Sequence, residues 1–317
     1  MKIKVLSLLR FAVSISLVAL LFWMMRDKAG NILNDLRSAD KFFYLLSAAI
    51  YLLTMVPLSY RFKIILNVQG IRMTLKDTLY LTFIGYFFNN FLPTAIGGDA
   101  VKAYYAGKSS KKNAGSFASV FMDRFVGLTS LVIIAMVMLI FKFGELDRRF
   151  SYAILIIFCL SAIAAFLILS KSMERWLISC EMFFGRSRIF EKLKKAYGAL
   201  NDYRNHKALL FKSFVISFGT QLIGMAVFYL LSVAAHANLS IFDVFVFMPI
   251  IATVSMLPSI NGLGLREGAM VYFFGPLIGA DKAFAVSMLW LSVLMITSLI
   301  GSIVYALNKH HNIKEMI

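Results

Sequence analysis

Apolar residues in this chain come in long blocks, not in the strict alternation of a half-buried strand or the single stripe of a surface helix. A helix needs about 20 mostly apolar residues to cross a hydrocarbon core about 30 Å thick. Six blocks meet that length, at roughly 5–25, 41–60, 116–141, 151–170, 208–233 and 283–306. The first follows Lys2 and Lys4, but it is too long for the core of a signal peptide and reaches Leu21-Phe22-Trp23 without a small-residue cleavage site. It reads as a retained span. Two regions, at about 75–107 and 242–280, are built differently. Each has an apolar arm of about 16 residues, a break rich in proline and glycine, and a second arm that carries charge. Broken backbone at membrane depth is tolerated only where protein packs on it or where it lines a wet cavity. Each region therefore predicts a helical hairpin that enters and leaves on one side. The expected fold is an all-α polytopic membrane protein with about six full spans and two re-entrant helical hairpins, in a single integral membrane domain over 1–317.

The two breaks are alike. The first reads Phe91-Leu92-Pro93-Thr94-Ala95-Ile96-Gly97-Gly98-Asp99-Ala100-Val101-Lys102, and the second reads Met256-Leu257-Pro258-Ser259-Ile260-Asn261-Gly262-Leu263-Gly264-Leu265-Arg266-Glu267-Gly268. Both run from Leu-Pro through a hydroxyl residue and glycines to an acid and a base. The order span, span, hairpin, span also occurs twice, over half-repeats of about 1–145 and 150–317. Three crossings per half is an odd number, so the second half would enter from the opposite side. This is the inverted-repeat plan of many transporters. Chance is the competing explanation, because proline and glycine breaks are common in membrane helices.

Composition agrees with the pattern. Hydrophobic residues make up 60% of the chain, charged residues 15%, and the mean hydropathy is +0.78, against about 25% charged residues in a soluble domain. The net charge of +17 would suggest nucleic acid in a soluble protein. Here no basic face is continuous and no nucleic-acid reader motif appears, so no nucleic-acid partner is expected. The lysines and arginines fall between spans, where they set orientation and meet anionic lipid. With the N-terminus in the cytoplasm, the segments assigned inside hold 22 of them and those outside hold 8. Both termini are therefore expected in the cytoplasm. The longest loop, 171–207, mixes aromatic and basic residues and reads as a cytoplasmic amphipathic surface helix or as an ordinary solvated connector.

The breaks also hold the candidate chemistry. Pro93 and Pro258 stop a helix, and Gly97, Gly98, Gly262 and Gly264 allow tight turns. A helix that restarts near Gly98 or Gly264 presents free N–H groups and the positive end of its dipole. Lys102 and Arg266 follow within about a turn, so each break predicts a seat for an anion such as a phosphate. Arg124 is a third candidate cation. Asn90, Ser259 and Asn261 add neutral donors, or else satisfy broken backbone. Asp99, Asp123 and Glu267 are expected to pair with the bases, cap the helices or carry protons, and Asp123 with Arg124 also reads as a structural ion pair. Cys159 and Cys180, and His206, His236, His310 and His311, form no metal-ligand spacing, so neither metal nor cofactor is expected. No nucleotide fingerprint or catalytic triad is found, and the chain is not expected to be an enzyme.

Asn90-Phe91-Leu92-Pro93, Gly97-Gly98-Asp99 with Lys102, Met122-Asp123-Arg124 and the long second break resemble the lysylphosphatidylglycerol synthase transmembrane-region family. The chain is similar to the membrane flippase part of the multiple peptide resistance factor, without that protein's synthase domain. The resemblance implies a flippase-like transporter of an anionic or lipid-linked substrate in the cytoplasmic (inner) membrane of a bacterial or archaeal cell. The partner it implies is a membrane phospholipid or a polyprenyl-phosphate-linked lipid. The alternatives are a membrane anchor for a separate lipid-modifying synthase and a transferase that acts on a lipid carrier.

Overall fold

The structure is a computed structural model that describes residues 23, 25–91, 97–141, 148–170, 195, 197–255 and 262–311. Most of the first expected span, both Leu-Pro turns (with Pro93, Pro258, Ser259 and Asn261), most of the 171–207 loop and residues 312–317 lie outside the described residues. Every described element is a helix. In chain order the α-helices are α1 (Ala29–Ser38), α2 (Lys41–Leu53), α3 (Met55–Val68), α4 (Leu75–Phe91), α5 (Gly97–Ser110), α6 (Asn113–Phe141), α7 (Arg148–Leu169), α8 (Lys207–Ala234), α9 (Ile241–Val254), α10 (Leu265–Ile278) and α11 (Ala280–His311), with short 3-10 helices at Arg26–Lys28 and Asp202–His206.

Four of these stretches are long and apolar enough to cross a membrane: Lys41–Val68, Asn113–Phe141, Tyr197–Ala234 and Ala280–Leu307. Each contains one of the expected spans and extends it. The first comprises α2 and α3. The two are separated at Thr54 because Pro57 has no N–H for the Leu53 carbonyl and its ring crowds that carbonyl. α7 adds a shorter apolar core, Ile154–Leu167. Large side chains face outward along these helices, with Ile140 71% and Phe166 68% exposed. Such faces are costly in water and ordinary against lipid.

The two broken regions become helix pairs, α4 with α5 and α9 with α10. Their arms hold 17, 14, 14 and 14 residues, and none has the length of the four long stretches. Their starts carry strong local signals. Before α4, the Thr74 hydroxyl accepts from the Asp77 N–H at 3.2 Å while the Asp77 carboxylate accepts from the Thr74 N–H at 3.0 Å, a reciprocal capping box. Ser240 caps α9 by accepting from the Phe242 N–H at 3.2 Å.

The chain divides into two compact units, and each draws on both halves of the sequence. The first comprises the chain up to Met55, with Phe83–Asp99 and Gln221–Leu307, and the second consists mainly of Val56–Thr82 and Ala100–Thr220. In the first unit, Phe228 packs between Phe274 and Trp290, with ring centroids 5.3 and 5.8 Å away, and Tyr51 meets Trp290 at 5.4 Å. The segment before α2 proves to be a helix, α1, held by Ile32 and Met25 against Phe284 and Ala285. Polar contacts then gather three connecting segments that the sequence assigns to one side. The Asp40 N–H donates to the Ala234 carbonyl at 2.8 Å, His236 Nε2 lies 3.2 Å from the Ser38 carbonyl, and Lys282 donates to the His236 carbonyl at 3.1 Å.

In the second unit, Phe62, Leu66, Leu81, Ala103, Ala106 and Val120 join α3, α4, α5 and α6 in one core. Tyr203 is fully buried beside Ile65, Met122 and Val126, with its hydroxyl 2.9 Å from that of Ser119. Here too, segments assigned to one side meet. Gln69 donates to the Ala199 carbonyl at 2.6 Å, and Lys112 donates to the Gln69 carbonyl at 3.1 Å.

Candidate functional site

Helices α3, α5, α6 and α8 bring three ionised side chains together inside the second unit. Arg61 is on α3, Lys102 on α5 and Asp123 on α6, with exposures of 7%, 7% and 5%. Arg61 Nε donates to Asp123 Oδ1 at 2.8 Å, and Nη1 donates to the hydroxyl of Ser217 on α8. Lys102 Nζ lies 3.4 Å from Asp123 Oδ2 and 4.1 Å from the centre of the Phe62 ring. Leu66, Ala103, Ala106 and Val120 pack on the same helices, so the apolar core that aligns α3, α5 and α6 also sets these distances. Two buried cations share one carboxylate. Burying ions is expensive unless each is paired, and this set carries one more positive charge than negative. The cation–π contact of Lys102 recovers part of its lost hydration.

The second break ends in a different device, inside the first unit. Gly262 and Gly264 have φ of +76° and +83°, where a side chain would be strained. A Cβ on Gly262 would lie 2.9 Å from that of Ser255, so the chain departs at 255 and returns at 262 in contact with itself. α10 then begins with Arg266 and Glu267, both buried. Glu267 Oε2 accepts from the Gly264 N–H at 2.7 Å, while Oε1 accepts from Arg266 Nε at 2.9 Å and Nη2 at 2.5 Å. One carboxylate thus caps the helix and neutralises the arginine beside it. Arg266 also acts electrostatically on Tyr51, whose hydroxyl neighbours Tyr86.

Across the first break, in the same unit, the approach is even closer. The Gly98 N–H donates to Asn89 Oδ1 at 2.9 Å. A Cβ on Gly98 would stand 1.9 Å from the Gly85 carbonyl oxygen, so α4 and α5 touch backbone to backbone. Gly97 opens α5, and Asp99 is buried in its first turn. Asn90 is half-buried near the end of α4.

Of the expected site residues, the fold pairs Lys102 with Asp123 and Arg266 with Glu267. Arg124 is exposed, a step of the helix away from Asp123, whose short ionic contacts go to Arg61 and Lys102 instead. Neither Arg61 nor Ser217 is among the expected site residues, and Arg61 falls in the 61–76 segment that the charge count assigns to the cytoplasm. A signal existed, because the apolar run continues past Arg61 through Ile64-Ile65-Leu66 and Val68. A cation inside such a run needs a buried partner.

The family model of the lysylphosphatidylglycerol synthase TM region matches residues 7–301, which include both breaks and all four residues of the buried cluster. The chain belongs to this family. Within it, the chain is similar to a UPF0104 membrane protein of Methanothermobacter thermautotrophicus, at 25% identity over 82% of this chain and 83% of the relative. It is also similar to a UPF0104 membrane protein of Pyrococcus horikoshii, at 25% identity over 94% of this chain and 96% of that one. A third relative, a UPF0104 membrane protein of Methanocaldococcus jannaschii, is 26% identical over 60% of each chain. Membership of the lysylphosphatidylglycerol synthase TM region family and the apolar helices agree on a multi-pass membrane protein.

Proposed function

We propose that this protein is a flippase-like transporter that moves an anionic or lipid-linked substrate across the cytoplasmic membrane, without catalysing a covalent reaction. The observation that carries this reading is the buried cluster of Arg61, Lys102 and Asp123. Ionisable groups in membrane-spanning helices are costly and commonly mark a substrate or ion path. A surplus of positive charge there favours an anion. The helix pairs on either side of the breaks support the same reading. At a rise of 1.5 Å per residue, their arms reach about 21–26 Å, short of the core thickness of about 30 Å. They act in this proposal as re-entrant hairpins of an inverted repeat, bringing broken backbone and polar groups to membrane depth. The segment ends gathered in the second unit, with Arg72, Lys76, Lys108, Lys111 and Lys112 nearby in sequence, face the cytoplasm in this reading.

Reconstitution tests the proposal. The full chain in liposomes, with a fluorescent short-chain anionic phospholipid in both leaflets, should expose the inner-leaflet fraction to an impermeant quencher faster than empty liposomes do. Arg61→Gln or Lys102→Gln should slow that exposure at least tenfold. Exchange no faster than in empty liposomes, for both a phospholipid and a polyprenyl phosphate, would overturn the reading.

A further inference from the structure

The buried cluster holds more hydrogen-bond donors than its one carboxylate and one hydroxyl can take up. A guanidinium has five N–H donors and an ammonium three. Among the described residues, Arg61 uses Nε on Asp123 and Nη1 on Ser217, while Lys102 reaches Asp123 at 3.4 Å, long for a charged hydrogen bond. Among the described residues, five of the eight donors take no protein acceptor, Arg61 Nη2 with both of its own, and the nitrogens that carry them are not among the fully buried unpartnered atoms, so an edge of the cluster keeps some accessible surface. Asp123 supplies only two oxygens for two cations, and its own side chain is as buried as theirs.

We infer that Arg61, Lys102 and Ser217 form a seat for a phosphate mono- or diester, and that Asp123 is a resident anion which the phosphate displaces. A phosphate offers more acceptor oxygens than one carboxylate. It can take the edge of the Arg61 guanidinium in a bidentate contact and the Lys102 ammonium as a point charge. The Ser217 hydroxyl holds the guanidinium in place from the other side. The Phe62 ring carries Lys102 while its ionic partner changes. Asp123 thus serves two purposes. It keeps the cations from being stranded when no phosphate is bound, and it weakens phosphate binding by competition, so that the phosphate can leave. This inference rests on the transport reading for the choice of ligand, but the binding step can be measured without transport.

The experiment uses the full chain in phosphate-free maltoside micelles, titrated calorimetrically with dihexanoyl phosphatidylglycerol in one arm and inorganic phosphate in the other. Wild type should bind at least one probe. Lys102→Gln should weaken binding tenfold or more, and Asp123→Asn should tighten it at least fivefold by removing the competitor. Binding of the lipid alone assigns the seat to a headgroup; binding of both probes assigns it to phosphate as such. If Asp123→Asn does not elute as a folded monodisperse species, Lys102→Gln and Ser217→Ala decide the matter. Both must weaken binding. No binding by wild type, or equal affinities for wild type and Lys102→Gln, would overturn the inference. The same variants in the liposome assay separate the two claims. Transport with unchanged phosphate affinity in Lys102→Gln defeats this seat and leaves the transporter standing. Phosphate binding without lipid exchange by wild type defeats the transporter and leaves the seat.

Discussion

Gly98 gives a direct quantitative test of the packing across the first break. Gly98→Ala adds one methyl group at a point where the backbone of α4 is already in contact. Its Cβ would fall 1.9 Å from the Gly85 carbonyl oxygen and 2.7 Å from the carbonyl carbon, whereas ordinary contact begins at 3.4 Å. To relieve the clash, α5 has to withdraw by about 1.5 Å, and overpacking of this kind costs about 1–3 kcal/mol. The same withdrawal stretches the 2.9 Å bond from the Gly98 N–H to Asn89 beyond hydrogen-bonding range. Leaving a buried donor unsatisfied costs about 1–3 kcal/mol more. The expected total is about 2–6 kcal/mol. Asn89→Ala, which loses the acceptor without the clash, should fall near the lower end. Gly219→Ala is the control, because nothing lies within 4 Å of its added Cβ. It should stabilise α8 by up to about 1 kcal/mol through helix propensity. The assay is reversible unfolding in mixed micelles, followed by tryptophan fluorescence, with all variants measured in one preparation. If Gly98→Ala unfolds with wild type while Gly219→Ala shifts as expected, α4 and α5 do not pack as described.

Arg61→Ala leaves Asp123 paired with Lys102 but removes its 2.8 Å charged hydrogen bond, and it should destabilise the protein by about 1–3 kcal/mol in the same assay. The triple variant Arg61→Met, Lys102→Met, Asp123→Leu should recover most of that loss while transport stays abolished, because apolar side chains replace all three ions without replacing their chemistry. Glu267→Gln keeps an oxygen for the Gly264 N–H but not the charge for Arg266. It should destabilise the protein by about 3–5 kcal/mol, because Arg266 is left buried without its counter-ion, and Glu267→Ala, which also loses the cap, should cost at least about 1 kcal/mol more. Single cysteines in a background free of Cys159 and Cys180 test the sidedness. Replacements at Arg37 and Asn238 should react alike with an impermeant thiol reagent applied to intact cells, and those at Arg72 and Lys112 should react only after permeabilisation. Labelling that divides either pair would contradict the contacts that gather those segments.

The long apolar helices, the interruptions between them and the residues at each restart follow from local sequence. Span length is set by the thickness of hydrocarbon. Proline, glycine and capping side chains act within a turn or two of where they stand. That is why the α5 and α10 starts, the glycines of the breaks and the Glu267 cap could be read before any contact was known. Family membership likewise followed from contiguous motifs. The partner of Asp123 could not be read in this way. Arg124 is its chain neighbour, yet successive residues on a helix point about 100° apart, and the partners are 62 and 21 positions away. Arg61 in turn reaches Ser217, 156 positions on. An ion pair in a medium of low dielectric is decided by approach to within about 3 Å. Only the packing of α3, α5, α6 and α8 brings those atoms that close. Sequence alone determined a membrane protein with two interrupted, charged elements. Tertiary structure decided which charges meet, and that two cations are left to share one acid.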